Sequence, residues 1–154
     1  MGFVMAEVVE KPERPTSKPV ILWISRHKPL PAQLDVLWDK LGDYKLITHE
    51  KPLSTADDAV KLAREVGADY VIPVLPMSFI VRLVEVSKKE RFKVLRAEME
   101  NIHNCTEYPC PDYNEYMDTI MESRDFNTGQ IIRRHFRFKK FVILKDILIV
   151  TEDF

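Results

Sequence analysis

Ser25, Arg26 and His27 stand in a row directly after an apolar run, and their side chains carry three complementary chemical groups. The Arg26 guanidinium is a planar fork that suits a phosphate group. The His27 imidazole can move a proton near neutral pH, and Ser25 adds a hydroxyl. This combination is compatible with phosphate binding or with phosphodiester chemistry.

Further candidate residues follow later apolar runs. Met77 and Ser78 come just after the run 69–75, at the start of a helical pattern whose backbone amides can hold an anion. Arg96 lies in a fourth apolar run and adds a second guanidinium. We therefore expect Ser25, Met77, Ser78 and Arg96 to bind a ligand, and Arg26 and His27 to act on it.

A structural interpretation of the same residues stays open, because strands commonly end at the protein surface. Ser25 then caps the next turn, and Arg96 forms an ion pair with Glu98. His49, at the end of the second apolar run, is then a solvated residue.

Apolar periodicity predicts the elements that position these residues. Two continuous apolar runs indicate strands covered on both faces, and stripes at helical spacing indicate amphipathic helices. Strands are predicted over 20–25, 44–50, 69–75 and 92–99, and helices over 31–41, 54–66 and 77–89. Strict alternation of strand and helix with short connections favours right-handed crossovers and a parallel sheet.

In such a sheet, ligands bind beyond the carboxyl ends of the strands, where the strand order reverses. If the second and third strands flank the first, the segment 25–27 faces Met77 and Ser78 across that crevice. The predicted fold class is α/β, a Rossmann-like mainly parallel sheet with flanking helices and a C-terminal β-hairpin. We expect residues 1–19 to form a flexible N-terminal arm and residues 20–154 a single domain.

The C-terminal third has weaker periodicity. A short helix is predicted near 113–123. Two strands, 133–144 and 146–154, are predicted to form the hairpin around a tight turn at Lys145 and Asp146. A phase shift at Lys139 and Lys140 predicts a β-bulge.

Composition excludes several function classes. The 154 residues carry a net charge of -1, so any basic site must be local. No apolar run is long enough for a membrane span, and the first residues lack the pattern of a signal peptide, so we expect a cytoplasmic protein without membrane partners. The glycine fingerprint of a dinucleotide site and the P-loop motif are both missing, so no cofactor is expected.

The two cysteines, Cys105 and Cys110, lie in the segment HNCTEYPC. They can close a small disulfide loop, or they can join His103 as three ligands of a metal. No second Cys or His pair follows at a standard zinc spacing. We therefore predict free thiols in a loop and no metal.

A basic run near the C-terminus has aromatic residues between its cations, a pattern typical of nucleic-acid-binding strands. The alternative is a β-ribbon with its phenylalanines inward and its cations in water. The cations concerned are Arg133, Arg134, Lys139 and Lys140. The helix predicted over 77–89 is apolar around most of its circumference, and this favours a homodimer.

The segments ILWISRHKPLPAQ, DYVIPVLPMSFIVRLVE and VLRAEME resemble small Rossmann-like proteins associated with type III CRISPR systems, of the CARF and ring-nuclease kind. In those proteins a first strand ends in a Ser-Arg-His-type segment, and a later strand ends in Leu-Pro before a helix. The resemblance covers about residues 20–100. The last 50 or so residues have no counterpart in it.

This resemblance implies a homodimer that binds a cyclic oligoadenylate or another short RNA messenger at the strand ends. It also implies a ring nuclease that cuts the ligand without a metal, through attack of a ribose 2′-hydroxyl on the adjacent phosphate. Arg26 would then stabilise phosphate charge and His27 would transfer the proton, while Ser25 and Ser78 position the ligand. A non-catalytic nucleotide sensor and a nucleic-acid-binding accessory protein stay open as alternatives.

Overall fold

A computed structural model of the chain describes residues 18–107 and 109–154. Residues 1–17 of the predicted arm lie outside the described residues. In chain order the elements are β1 (Val20–Ile24), α1 (Pro31–Leu41), β2 (Lys45–His49), α2 (Ala56–Glu65), β3 (Tyr70–Pro73), α3 (Met77–Ser87), β4 (Lys93–Asn104), β5 (Asp118–Arg124) and β6 (Ile131–Leu144).

The strands form one six-stranded sheet in the order β2-β1-β3-β4-β6-β5. The pairings of β1 with β2, of β1 with β3 and of β3 with β4 are parallel. The pairings of β4 with β6 and of β5 with β6 are antiparallel. The α/β prediction is confirmed and the sheet is mixed, with its parallel half at the N-terminal side.

The side chains of β1 divide the core into two layers because successive residues of a strand point to opposite faces. Leu22 and Ile24 pack with buried residues of α2 and α3, such as Ala63 and Leu83. Ile21 and Trp23 pack on the other face with residues that include Leu37 of α1. Burial of each such side chain contributes about 1.5–3 kcal/mol. The sheet is therefore covered by α2 and α3 on one face and by α1 on the other.

Three local signals set the first or last residues of the helices, at the positions that the periodicity predicts. Pro31 occupies the first turn of α1, where its missing N–H costs no hydrogen bond. The backbone of Gly42 closes the same helix with a φ of 72°. Thr55 caps α2 through its side-chain oxygen, which accepts a hydrogen bond from the Asp58 N–H.

The helix predicted over 113–123 is wrong, because residues 118–124 form strand β5. The reason is tertiary. The free edge of β6 offers a row of backbone groups, and β5 pairs with it from Asp118 to Arg124. The short connection between the two strands contains Gly129, whose φ of 73° suits glycine.

The C-terminal hairpin predicted between 133–144 and 146–154 is also wrong. Strand β6 is paired with β4 on one side and with β5 on the other, so it has no edge left for a third strand. Residues 145–154 are not in a strand. The predicted bulge is confirmed, because Glu98 pairs with Lys140 while Met99 pairs with Phe138, which leaves Lys139 as the extra residue.

Strand β4 is longer than the predicted 92–99 and carries the antiparallel half of the sheet beyond the parallel half. Its first residues pair with β3, and from Val94 to Asn104 it pairs with β6. The extension of β4, β6 and β5 therefore forms a wall beside the carboxyl ends of β1 and β3.

Candidate functional site

The turn after β1 is held by a short hydrogen-bond network. Ser25 is buried, and its Oγ accepts a hydrogen bond from the His27 N–H at 3.0 Å. The indole N–H of Trp23 donates to the His27 carbonyl at 2.8 Å. Ser25 thus caps the turn, as the structural interpretation predicted, and Arg26 and His27 are left exposed at the rim of the sheet.

The larger cleft lies between this rim and the wall formed by β4, β6 and β5. Its volume is about 980 Å³. Its polar lining comes from the β1 turn, from α1, from β4 and from β5, and the rest of its surface is mainly apolar. The polar groups include Ser25, His27, Lys28, Gln33 and Arg96, and the apolar groups include Ile72, Leu75, Met99, Ile120 and Phe136.

A second cleft of about 370 Å³ lies on the other side of the same turn, between the ends of β1 and β2. Arg26, His27 and His49 line it together. Within residues 18–107 and 109–154, no hydrogen bond or ion pair engages the Arg26 side chain. His49 is not the solvated residue that the structural interpretation expected, because its Nε2 is buried and has no hydrogen-bond partner among the described residues.

The predicted site residues are brought together only in part. Ser25 and His27 line both clefts, whereas Arg26 lines only the smaller one and Arg96 only the larger. Met77 and Ser78 lie at the same edge of the sheet, on the first turn of α3, but they are exposed and line neither cleft.

Arg96 forms the expected ion pair with Glu98, with 3.1 Å between the guanidinium Nη2 and the carboxylate Oε2. Both side chains are more than one-third exposed, so the pair is weak and the guanidinium can exchange its partner for a ligand.

The charge of the basic run on β6 is partly compensated by carboxylates of neighbouring strands. Arg133 pairs with Glu122 at 2.8 Å, and Lys139 pairs with Glu100 at 3.1 Å. Arg134 donates to the Ser123 hydroxyl at 3.1 Å. Phe138 of the same run is buried. This arrangement agrees with the β-ribbon alternative more closely than with a free stripe of cations.

Four residues of metal-binding types, two histidines and two cysteines, meet at the far end of the wall. His103, Cys105, Cys110 and His135 each offer one ligand atom, and these atoms all lie within 4.8 Å of one another. Cys110 is buried and both cysteines are free thiols. The sequence singled out the first three of these residues, but it did not connect them with His135.

The ring of His135 contacts the buried carboxylate of Asp118. Its Nε2 lies 2.6 Å from Oδ2 of Asp118, and neither side chain is exposed to solvent. Arg137 donates to both carboxylate oxygens of Asp118, at 2.8 and 2.9 Å. Hydrogen bonds from Arg137, and then from His135, hold the pKa of Asp118 well below its usual range despite burial.

Cys110, His135 and Asp118 also resemble a nucleophile–base–carboxylate triad, since Cys110 Sγ lies 3.6 Å from His135 Nδ1. The electrostatics oppose that function. Burial and a hydrogen bond to Asp112 raise the pKa of the Cys110 thiol to about 12, whereas a nucleophilic cysteine needs a lowered pKa. Cys110 lines neither cleft.

Part of the apolar surface of α3 packs within the chain. Ile80, Leu83 and Val84 face the core, whereas Met77 is 56% exposed.

Among the described residues, no helix has both the length and the apolar character needed to cross a bilayer.

Comparison with known proteins identifies no matching family model, no significantly similar curated protein and no significantly similar solved structure.

Proposed function

We propose that this chain is a Rossmann-like nucleotide-binding protein whose ligand is a short or cyclic oligoadenylate, bound in the larger cleft. The observation that carries the proposal is the position and lining of that cleft. It lies beyond the carboxyl ends of β1 and β3, where open α/β sheets bind their ligands.

The size of the cleft fits more than one nucleotide. About 980 Å³ is at the upper end of the range of about 300–1,000 Å³ for small-ligand sites. The apolar wall, with Met99 and Phe136, offers surfaces on which a base can stack.

The charges of the cleft suit a phosphodiester backbone. Lys28 and Arg96 supply cationic groups at the rim, and His27 adds a third when it is protonated. The acidic residue Glu122 also lines the cleft, but its carboxylate is engaged by Arg133. The cations therefore remain available for a polyanionic ligand.

Cleavage of the ligand is the second candidate function, and the pair Arg26 and His27 favours it. In this reaction His27 accepts the proton of a ribose 2′-hydroxyl, whose oxygen attacks the adjacent phosphorus. The P–O5′ bond breaks, a 2′,3′-cyclic phosphate forms, and the released 5′-oxygen takes up a proton. A ligand that extends past His27 from the larger into the smaller cleft also reaches Arg26, which stabilises the charge on the phosphate.

Binding is tested by isothermal titration of the purified protein with cyclic tetra-adenylate and cyclic hexa-adenylate. We expect at least one ring to bind. Replacement of Lys28 or Arg96 by Ala should weaken binding about tenfold, because each change removes one charged contact worth about 1.5 kcal/mol.

Lys61→Ala is the matched control, because Lys61 is exposed on α2 and lines neither cleft. Its affinity should equal that of the parent protein. The proposal would be contradicted if the folded protein bound neither ring. It would also be contradicted if the Lys28 and Arg96 variants bound as tightly as the parent protein.

Chromatography of the ligand after incubation separates the two functions. The protein is an enzyme if the parent forms linear products and the His27→Ala variant forms none although it still binds the ligand. Ligand recovered unchanged shows a binding module.

A further inference from the structure

We propose that His103, Cys105, Cys110 and His135 form a structural zinc site that ties the loop between β4 and β5 to the back of the wall. This inference does not depend on the proposed nucleotide ligand. A set of two thiolates and two imidazoles is a common set of ligands for structural Zn²⁺.

Three of the six distances between the ligand atoms, those among His103, Cys110 and His135, match a zinc-centred tetrahedron, and Cys105 Sγ lies within 4.8 Å of the other three atoms. With Zn–N of about 2.0–2.1 Å and Zn–S of about 2.3 Å, the N···N edge is about 3.4 Å and each S···N edge about 3.6 Å. His103 Nε2 lies 3.4 Å from His135 Nδ1. Cys110 Sγ lies 3.5 Å from His103 Nε2 and 3.6 Å from His135 Nδ1.

Both imidazoles direct one ring nitrogen to the centre of the cluster. The Nε2–H of His135 donates to Asp118, so its Nδ1 is free to bind a metal. His103 Nδ1 lies 3.0 Å from the Asn104 carbonyl, where its N–H can donate. Its Nε2 contacts Asp112 Oδ1 at 3.0 Å and has to be deprotonated to bind a metal. A carboxylate or carbonyl partner behind each histidine is the usual support of metal-binding imidazoles.

The sheet register explains how residues far apart in sequence meet. His103 and His135 are direct partners in the β4–β6 pairing. The Cys105 N–H continues that pairing to the Arg133 carbonyl, so Cys105 lies two positions beyond His103 on the same face. Cys110 lies against these residues, and the C-x4-C spacing lies within the range seen in zinc sites.

The charges around the cluster favour a cation. Asp112 Oδ1 lies 3.0 Å from His103 Nε2 and 3.1 Å from Cys110 Sγ, and its side chain is 55% exposed. Asp118 adds a second carboxylate behind His135. The guanidinium of Arg137 is bound to both carboxylate oxygens of Asp118.

The zinc site would stabilise the wall that borders the proposed ligand cleft. Phe136 lines the cleft, whereas its neighbour His135 points to the opposite face of β6, as successive strand residues do. Zinc would thus stabilise the wall from the face opposite the cleft and would not contact the ligand.

The first test measures metal bound to the full chain purified under reducing conditions. We expect about one Zn²⁺ per chain by elemental analysis. After exchange with Co²⁺, the protein should show the strong visible d–d bands of a tetrahedral site and a thiolate-to-metal charge-transfer band.

Two variants of partly exposed ligands keep the test independent of folding. Cys105→Ser and His103→Gln should each lose zinc affinity by more than about 100-fold, since even loss of an outer hydrogen-bond partner costs 10–100-fold. His49→Gln is the matched histidine control, because His49 lies at the end of β2 outside the cluster, and it should retain one Zn²⁺.

Three results would overturn the proposal. They are a reduced, folded protein that takes up no zinc in titration, unchanged zinc affinity in both variants, and a Cys105–Cys110 disulfide that persists in protein purified with a thiol reductant.

Discussion

At the residue scale, the buried polar groups of this chain depend on one another for hydrogen bonds. Asp118 accepts hydrogen bonds from His135, from Arg137 and from the Asn114 N–H. A carboxylate without solvent exposure needs such partners, because an unpaired buried charge costs several kcal/mol. The sequence did not single out Asp118, since a lone aspartate carries no local signal.

The variant Asp118→Asn should destabilise the protein strongly. It removes the negative charge between His135 and Arg137 and leaves the Arg137 guanidinium, which is about 30% exposed, without its partner. We expect the free energy of unfolding to fall by about 3 kcal/mol in chemical denaturation.

Asp146→Asn is the control, because its carboxylate pairs with Lys88 at the surface, with both side chains about half exposed. We expect a loss below about 1 kcal/mol. Equal losses in the two variants would mean that the Asp118 cluster adds no special stability.

At the scale of elements, local sequence determines where the helices begin and end. Helix α2 is an example. Thr55 Oγ1 accepts from the Asp58 N–H, and Asp58 Oδ2 accepts from the Thr55 N–H, so each satisfies a backbone donor at the helix start. Asp57 and Asp58 also suit the positive end of the helix dipole.

The variant Thr55→Ala should therefore lower the free energy of unfolding by about 1 kcal/mol, through loss of the N-cap acceptor. Ser54→Ala, one residue earlier, serves as the control and should have little effect because Ser54 does not cap the helix. Urea denaturation of both variants checks this, and an equal effect of the two changes would contradict the assignment of Thr55 as the cap.

At the scale of the whole molecule, the loop between β4 and β5 links the antiparallel wall to α1. The Ala32 N–H donates to the Tyr116 carbonyl at 2.9 Å. The Tyr116 hydroxyl donates to Asp35 Oδ2 at 2.7 Å. These contacts join the two borders of the larger cleft, so they stabilise its shape.

The link to Asp35 should make stability depend on pH in the alkaline range. The hydrogen bond to Asp35 raises the pKa of Tyr116 above its ordinary value of 10.0. The folded state thus holds this proton more tightly than the unfolded state. The contribution is fully present below a pH of about 10, and it is lost as pH rises through the folded-state pKa.

Tyr116→Phe removes this contribution. We expect the variant to be less stable than the parent protein at neutral pH, and the difference in the free energy of unfolding to disappear above the pKa of Tyr116. Denaturation curves of the two proteins at several pH values measure this difference. The other titrating groups are the same in both proteins, so their contributions cancel in the difference. A difference that stays constant with pH would contradict the role of this hydrogen bond.

Most of the N-terminal elements could be predicted from the sequence because their signals are local. Apolar runs and helical stripes located β1, β2 and β3 with all three helices to within a few residues, and Pro31 and Gly42 marked the bounds of α1. The ion pair of Arg96 with Glu98 and the turn cap at Ser25 also needed only near neighbours.

The antiparallel half was decided by pairing over long sequence distances. Residues 113–123 have a pattern compatible with a helix, yet most of them join β6 because its edge needs backbone partners. The hydrophobic residues 147–150 look like a strand, yet both edges of β6 are taken.

The candidate sites divide in the same way. Sequence alone determined that Ser25, Arg26 and His27 stand at the carboxyl end of a buried strand, because that follows from the order of residues in one segment. Only the tertiary structure placed Arg26 and Arg96 in different clefts and brought His135 to Cys110. Strand register sets those distances, and register depends on the packing of the whole sheet rather than on any single stretch of chain.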